Sequence, residues 1–202
     1  MSKHPVLIAA FLCAGSLASC ATIPGPVQAA APESSAGPPR KTYLFQLGAR
    51  SLSDKAWDQI DQHVLIGFEG AWLGEGSPFG FEYGLSLSGD STTFMGVDVT
   101  GTLFEGFFGG RYVLGDGPLF PVAGVGLEFA SAHVEGETGG MSVSDDDTAF
   151  GAYAHVGLLW RLAGSLLLGL DARVAETSNL TLFGVDGDAS YTQLALVLGW
   201  GS

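Results

Sequence analysis

The chain has 202 residues; 14% are charged, against roughly 25% in an average soluble domain, and 31 are glycine, about twice the usual share. With 47% hydrophobic and 11% aromatic residues the composition is not that of a disordered chain, and a net charge of −13 repels nucleic-acid phosphate. No run of about 18 apolar residues is present to make a spanning helix.

The first forty residues read as address and tether. Lys3 gives a positive start and residues 6–12 a short apolar core, the pattern of a signal peptide over 1–19. Leu17-Ala18-Ser19-Cys20 then resembles the bacterial lipobox, in which the cysteine is lipidated and begins the mature chain. Cleavage by ordinary signal peptidase, after Ala21 or within 29–31, is the alternative. Ala21, rather than Asp, resembles the sorting signal of outer-membrane lipoproteins. Residues 20–41 carry five prolines among Ala, Ser and Gly and read as an extended linker. Cys13 and Cys20 are the only cysteines, so the domain over 42–202 has neither a disulfide nor a cysteine metal site.

From Thr42 onward the periodicity is two. Strands are predicted near 42–50, 63–73, 79–88, 97–114, 119–133, 149–162, 166–175 and 190–200. One parity holds nearly all the bulk, such as Phe45 and Leu47, Phe81 and Leu85, or Leu194, Leu196 and Leu198. The other parity collects Arg50, Glu69, Glu82, Glu105, Arg111, Glu128, His155, Arg161, Asp171 and Arg173. Segments 51–62, 89–96, 134–148 and 176–189 are long or polar and read as loops. They alternate with tight turns at 74–78, 115–118 and 163–165.

Two arguments turn the charged face inward. The lumen of an eight-stranded barrel is just wide enough for side chains to fill, and the bulky parity is too large to fit there. Glycine is also concentrated on the charged parity, twelve against three, which marks that face as the crowded one. An exterior of Leu, Val and aromatics then meets lipid, where only closure leaves no unpaired backbone edge. The expected fold is all-β, an eight-stranded antiparallel up-and-down transmembrane β-barrel. Trp72, Phe79, Tyr112, Phe120, Trp160 and Trp200 are expected at the membrane interfaces. An even strand count returns both ends to the periplasm. Buried ions cost several kcal/mol unless paired, so the ten polar residues named above are expected to form a salt-bridged lumen network.

The stretch Phe107-Phe108-Gly109-Gly110-Arg111-Tyr112, with 120–127 after it, is similar to the central hairpin of small bacterial outer-membrane barrels. The ending, 168–173 and then Gln193 to Trp200, resembles the same group, which includes OmpA-, OmpX- and OmpW-like proteins. The resemblance spans 42–202. It implies an outer-membrane location, contact with membrane lipid and lipopolysaccharide, insertion by the barrel-assembly machinery and a monomer without cofactor. Gly201-Ser202 after Trp200 departs from members that end on the aromatic residue itself.

The expected function is a non-enzymatic, structural or surface-interaction barrel with acidic external loops. A channel for small solutes or hydrophobic compounds is the alternative, followed by a lipid A-modifying enzyme and a soluble lipocalin-like carrier. Glu176-Thr177-Ser178-Asn179 is similar to lipid A deacylases, but Glu176 stands where those enzymes carry the histidine that activates serine. Asp145-Asp146-Asp147, near Glu135 and Glu137, lacks the spacing of a Ca²⁺ loop and reads as a solvated acidic loop. His63 and His133 have no metal-ligand spacing, and the glycines of 106–110 precede no helix or Lys that would make a phosphate loop. No catalytic or metal residue is assigned.

Overall fold

Alternating runs of bulky and small or polar residues give strands whose two faces differ, and here they close into a ring. The computed structural model describes residues 37–202. In chain order the strands are β1 Lys41–Leu52, β2 Gln62–Leu73, β3 Phe79–Phe94, β4 Val97–Val113, β5 Leu119–Thr138, β6 Met141–Ala163, β7 Leu166–Thr177, β8 Asn179–Leu182, β9 Val185–Asp188 and β10 Tyr191–Gly201. Eight of them form a closed antiparallel barrel in the order β1-β10-β7-β6-β5-β4-β3-β2. Pairing of β1 with β10, from Thr42↔Gly201 to Leu52↔Tyr191, closes the ring and leaves no free edge there. β8 and β9 form a separate hairpin between β7 and β10. A 3-10 turn, Lys55–Trp57, lies between β1 and β2.

Inside and outside follow the predicted parity. β10 alternates buried and exposed without a break. Phe81 and Leu196 are about half exposed, at 48% and 49%, whereas Glu105 is 0% exposed and Arg173 2%. The outer surface is a belt of aliphatic and aromatic side chains, a surface suited to acyl chains rather than water. Tyr43, Trp72, Phe79, Tyr112, Trp160 and Trp200 cluster toward the end of the tight turns, and the rings of Phe79 and Tyr112 lie 4.5 Å apart. Phe120 departs from the expected girdle. It is fully buried in the lumen, because on β5 the even positions face inward while Leu119 and Pro121 face out.

Crowding explains the inward glycines. A Cβ on Gly124 would collide with the His155 imidazole and the Glu82 carboxylate, and one on Gly84 with the Phe107 ring and the carbonyl of Phe68.

The end opposite the tight turns differs from the expected loops. Residues 89–96 and 134–148 are mostly strand: β3 pairs with β4 out to Phe94↔Val97, and β5 with β6 out to Thr138↔Met141. β2 leaves β3 after Val64↔Gly89, and β7 leaves β6 after Gly151↔Thr177. A four-stranded blade of β3–β6 therefore projects past the ring. Its polar, serine- and threonine-rich alternation masks the strand signal. Two-residue tips at Met95-Gly96, Gly139-Gly140 and Phe183-Gly184 have positive φ at both positions, the geometry that matches strand twist. This blade and the β8–β9 hairpin mark the hairpin end; the opposite pole is the turn end.

Candidate functional site

The lumen is layered. At the turn end Leu44, Leu73, Val113, Phe120, Leu159 and Leu167 pack into an apolar plug. At the hairpin end Trp57, Ile60, Leu103, Phe107, Leu180 and Tyr191 belong to a second one. Between them lies a layer of buried ions, set on seven strands by inward parity.

Some pairings join neighbouring strands, as His155 on β6 with Asp171 on β7, and others cross the lumen between strands that are not neighbours. Arg50 on β1 binds Glu105 on β4, and also donates to Ser88 Oγ at 3.2 Å, Ser86 Oγ at 3.3 Å and Gln193 Oε1 at 2.8 Å. Its guanidinium lies 3.9 Å from the Tyr191 ring centre. Arg111 on β4 binds Glu69 on β2 and stands 3.7 Å from Glu82. Arg173 on β7 reaches Glu69 at 3.4 Å and lies over the ring of Phe107 at 3.8 Å. His155 on β6 is held between Asp171 at 2.5 Å and Glu82 at 3.1 Å. Tyr153 donates to Glu82 at 2.7 Å, and the Tyr191 hydroxyl lies 3.1 Å from Glu128 and 3.4 Å from Glu105. Gln46 donates to Glu69 at 3.0 Å.

Nine of the ten predicted polar residues are buried in this layer. Arg161 is placed elsewhere. It sits half-buried at the turn-end rim, beside a break in register between β6 and β7, donating to the Gly37 carbonyl at 3.0 Å and lying 4.9 Å from the Phe120 ring. Inward parity is no longer enough at a strand end, where the ring gives way to the rim. Tyr153 and Tyr191, on the same inward parity as the ions, serve as their partners, whereas the inward Ser86 and Ser88 carry no charge to mark them as partners of Arg50. Cys20 lies outside the described residues.

The remaining motifs have structural partners. Ser178 exchanges hydrogen bonds with Phe150: its backbone N donates to the Phe150 carbonyl at 2.7 Å, and its Oγ accepts from the Phe150 N at 3.2 Å. His155 is committed deep in the lumen, so it does not activate that serine. Asp145 and Asp147, expected to be solvated, accept the backbone N–H groups of Phe183 and Thr181 at 2.6 Å each and so clamp β8 to the blade. Asp147 lies on the part of β6 that extends beyond the ring, and the N–H groups of Thr181 and Thr148 hold its carboxyl below the ordinary value of 3.8. His63 is buried between Ser88 Oγ at 3.1 Å and the Ile60 carbonyl at 3.0 Å. Among the described residues no group of three or more His, Cys, Asp or Glu side chains could hold a metal ion.

Charge is divided by pole. Segments 53–61, 90–98, 135–147 and 176–188, all at the hairpin end, hold thirteen carboxylates and a single base, Lys55. The turn end is nearly balanced: Arg40, Lys41 and Arg161 lie there with Glu75 and Asp116, Arg40 standing 3.7 Å from Glu75 and Lys41 Nζ 5.0 Å from the Trp72 ring centre.

Comparison with known proteins matches this geometry. Neisserial surface protein A (NspA) superposes with a TM-score of 0.61 at 10% identity, over 80% of this chain and 97% of that one. OprG from Pseudomonas aeruginosa gives 0.59 at 10% identity, over 82% and 97%. Ail, the attachment invasion locus protein of Yersinia pestis, solved with the heparin analogue sucrose octasulfate, gives 0.53 at 11% identity, over 79% and 96%. At these identities the likeness is one of fold. No curated protein matches the chain. The family model for the outer membrane protein beta-barrel domain matches residues 11–201. With nearly its whole length covered by that model, and a closed barrel that is greasy outside and ionic within, the chain belongs to the outer membrane protein beta-barrel family.

Proposed function

We propose that this outer-membrane barrel is a sealed, non-enzymatic scaffold whose role is to present the hairpin end to partners at the cell surface. One observation carries the reading: the lumen is filled along its length by two apolar plugs with an ionic layer between them. A cavity at the turn end lined by Pro39, Arg111 and Phe120 is about 10 Å³, room for about one water. A conducting pore needs continuous water, and these side chains are packed in its path. The same packed side chains occupy the space that a carrier would need for its ligand.

In this reading the turn end and the linker face the periplasm, Cys20 carries the lipid, and the chain acts as a monomer in contact with lipopolysaccharide. Tight turns at one end and the long blade at the other support that orientation. The complex named for Ail involves a sulfated ligand; thirteen carboxylates against one lysine would repel such a polyanion here. Planar-bilayer recording of the refolded chain tests the proposal. No unitary conductance is expected, and discrete channel steps would overturn it in favour of a solute channel. Cys20→Ala should leave heat-modifiability intact while removing the lipid from the mature chain.

A further inference from the structure

The blade continues both faces of the barrel. Its outer face carries Asp98, Glu135, Glu137 and Asp146, while its inner face keeps the lumen parity and presents Phe94, Val99 and Val134. The 3-10 turn and the β8–β9 hairpin cover part of that inner face. Between them an apolar cleft of about 230 Å³ stays open, lined by Trp57, Ile60, Phe94, Val134, Phe183 and Val185 among others. Phe94, Phe183 and Val185 are 44%, 50% and 57% exposed.

Three observations specify what the cleft receives. It is smaller than the roughly 300–1,000 Å³ of a site that encloses a whole small molecule, which suits a large side chain reaching in from a partner. Phe183 stands at its rim with φ +52°, a left-handed conformation that is a genuine outlier for a bulky residue and would be relaxed in Gly or Asn. The ring is half exposed at the cleft mouth, a surface on which an incoming apolar side chain packs. The third is the field: the surrounding segments hold thirteen carboxylates and one lysine, with Asp58 and Asp186 next in sequence to lining residues.

We propose that the cleft docks a cationic polypeptide segment anchored by a large apolar side chain, with its Lys or Arg residues on the flanking carboxylates. The apolar anchor supplies affinity and the acidic field supplies approach rate and choice of partner. This rests on the surface-interaction reading and names the chemistry of the partner.

The test uses the full chain in nanodiscs of zwitterionic lipid, with empty discs as reference and a short fluorescent peptide alternating lysine and leucine as probe. Saturable binding is expected, weakened about tenfold by Val134→Trp, which fills the cleft, and by a peptide alternating lysine and serine. Phe183→Asn relieves backbone strain and removes the rim aromatic, so it should fold and still bind more weakly. Asp58→Asn with Asp186→Asn should weaken binding and flatten its salt dependence. Equal binding of the lysine–serine peptide would reduce the surface to bulk charge, and equal binding of a glutamate–leucine peptide would make the occupant any apolar amphiphile. Either result overturns the proposal, as does absence of binding. Absence of binding by a chain that also shows no channel steps in planar bilayers would leave the sealed-scaffold reading standing, whereas conductance there would remove that reading whatever the peptide does.

Discussion

Arg50 and Glu105 form a fully buried ion pair across the lumen, from β1 to β4, strands that are not neighbours in the ring. Ser86 donates to the same carboxylate at 2.7 Å and Gln193 accepts from the same guanidinium. The pair thus ties opposite walls of the barrel, and it fixes closure as much as it neutralises charge. Arg50→Met should leave Glu105 uncompensated and lower refolding stability by about 3–5 kcal/mol. Urea titration followed by the heat-modified gel shift measures this. Adding Glu105→Leu should recover much of the loss, and an Arg50→Met barrel as stable as the wild type would show that the pair is idle.

The ions that share Glu69 should be coupled. Arg111 and Arg173 both contact its carboxylate, from β4 and β7. A double-mutant cycle on Arg111→Leu and Glu69→Leu is expected to give an interaction of about 0.5–3 kcal/mol, as for residues in one network. Additive losses would mean that the two side chains act independently.

Glycine on the two faces should behave differently. Gly124→Ala places a methyl against His155 and Glu82 and should cost about 1–3 kcal/mol, as overpacking does. On the lipid face, a Cβ on Gly110 would meet only the Gly80 carbonyl at 4.0 Å, so Gly110→Ala should stay within about 0.5 kcal/mol of wild type. Refolding yields of the two variants, compared in one detergent, decide it; equal effects would contradict the crowding of the inward face.

The clamp on β8 should respond to pH. The Asp147 carboxyl is held below its ordinary value by backbone N–H groups, so the ionised form favours the docked hairpin. That contribution is complete above the ordinary Asp value and fades as pH falls through it and then through the lowered one. The protection of the Thr181 amide, its exchange rate set against the intrinsic rate at each pH, should therefore fall in acid, and Asp147→Asn should remove the pH dependence of that protection.

Met95 is 88% exposed at the β3–β4 tip with φ +52°. Met95→Asn keeps the turn and should stabilise the hairpin by up to about 1 kcal/mol, since Asn tolerates that conformation. Protease sensitivity at the tip would fall accordingly.

Period-two alternation along β1–β7 and β10, with glycine gathered on the ionic parity, was enough to read strand number, closure and the inward face. Side chains on one strand have no choice but to alternate, so nine of the ten polar residues could be placed in the lumen from sequence. Who pairs with whom could not be read, because Arg50 and Glu105, or His155 and Glu82, meet only after the ring has closed and brought distant strands across a shared interior. Closure likewise decided that Arg161 belongs to the rim and Phe120 to the plug. The blade escaped notice since its strands are polar on the outer face, and the aspartates read as solvated turned out to hold a hairpin edge whose unpaired N–H groups no local pattern announces. Local chemistry along the chain determined the barrel, while the geometry of a closed ring, which sets distances across the lumen independently of distance in sequence, decided its wiring and its surface.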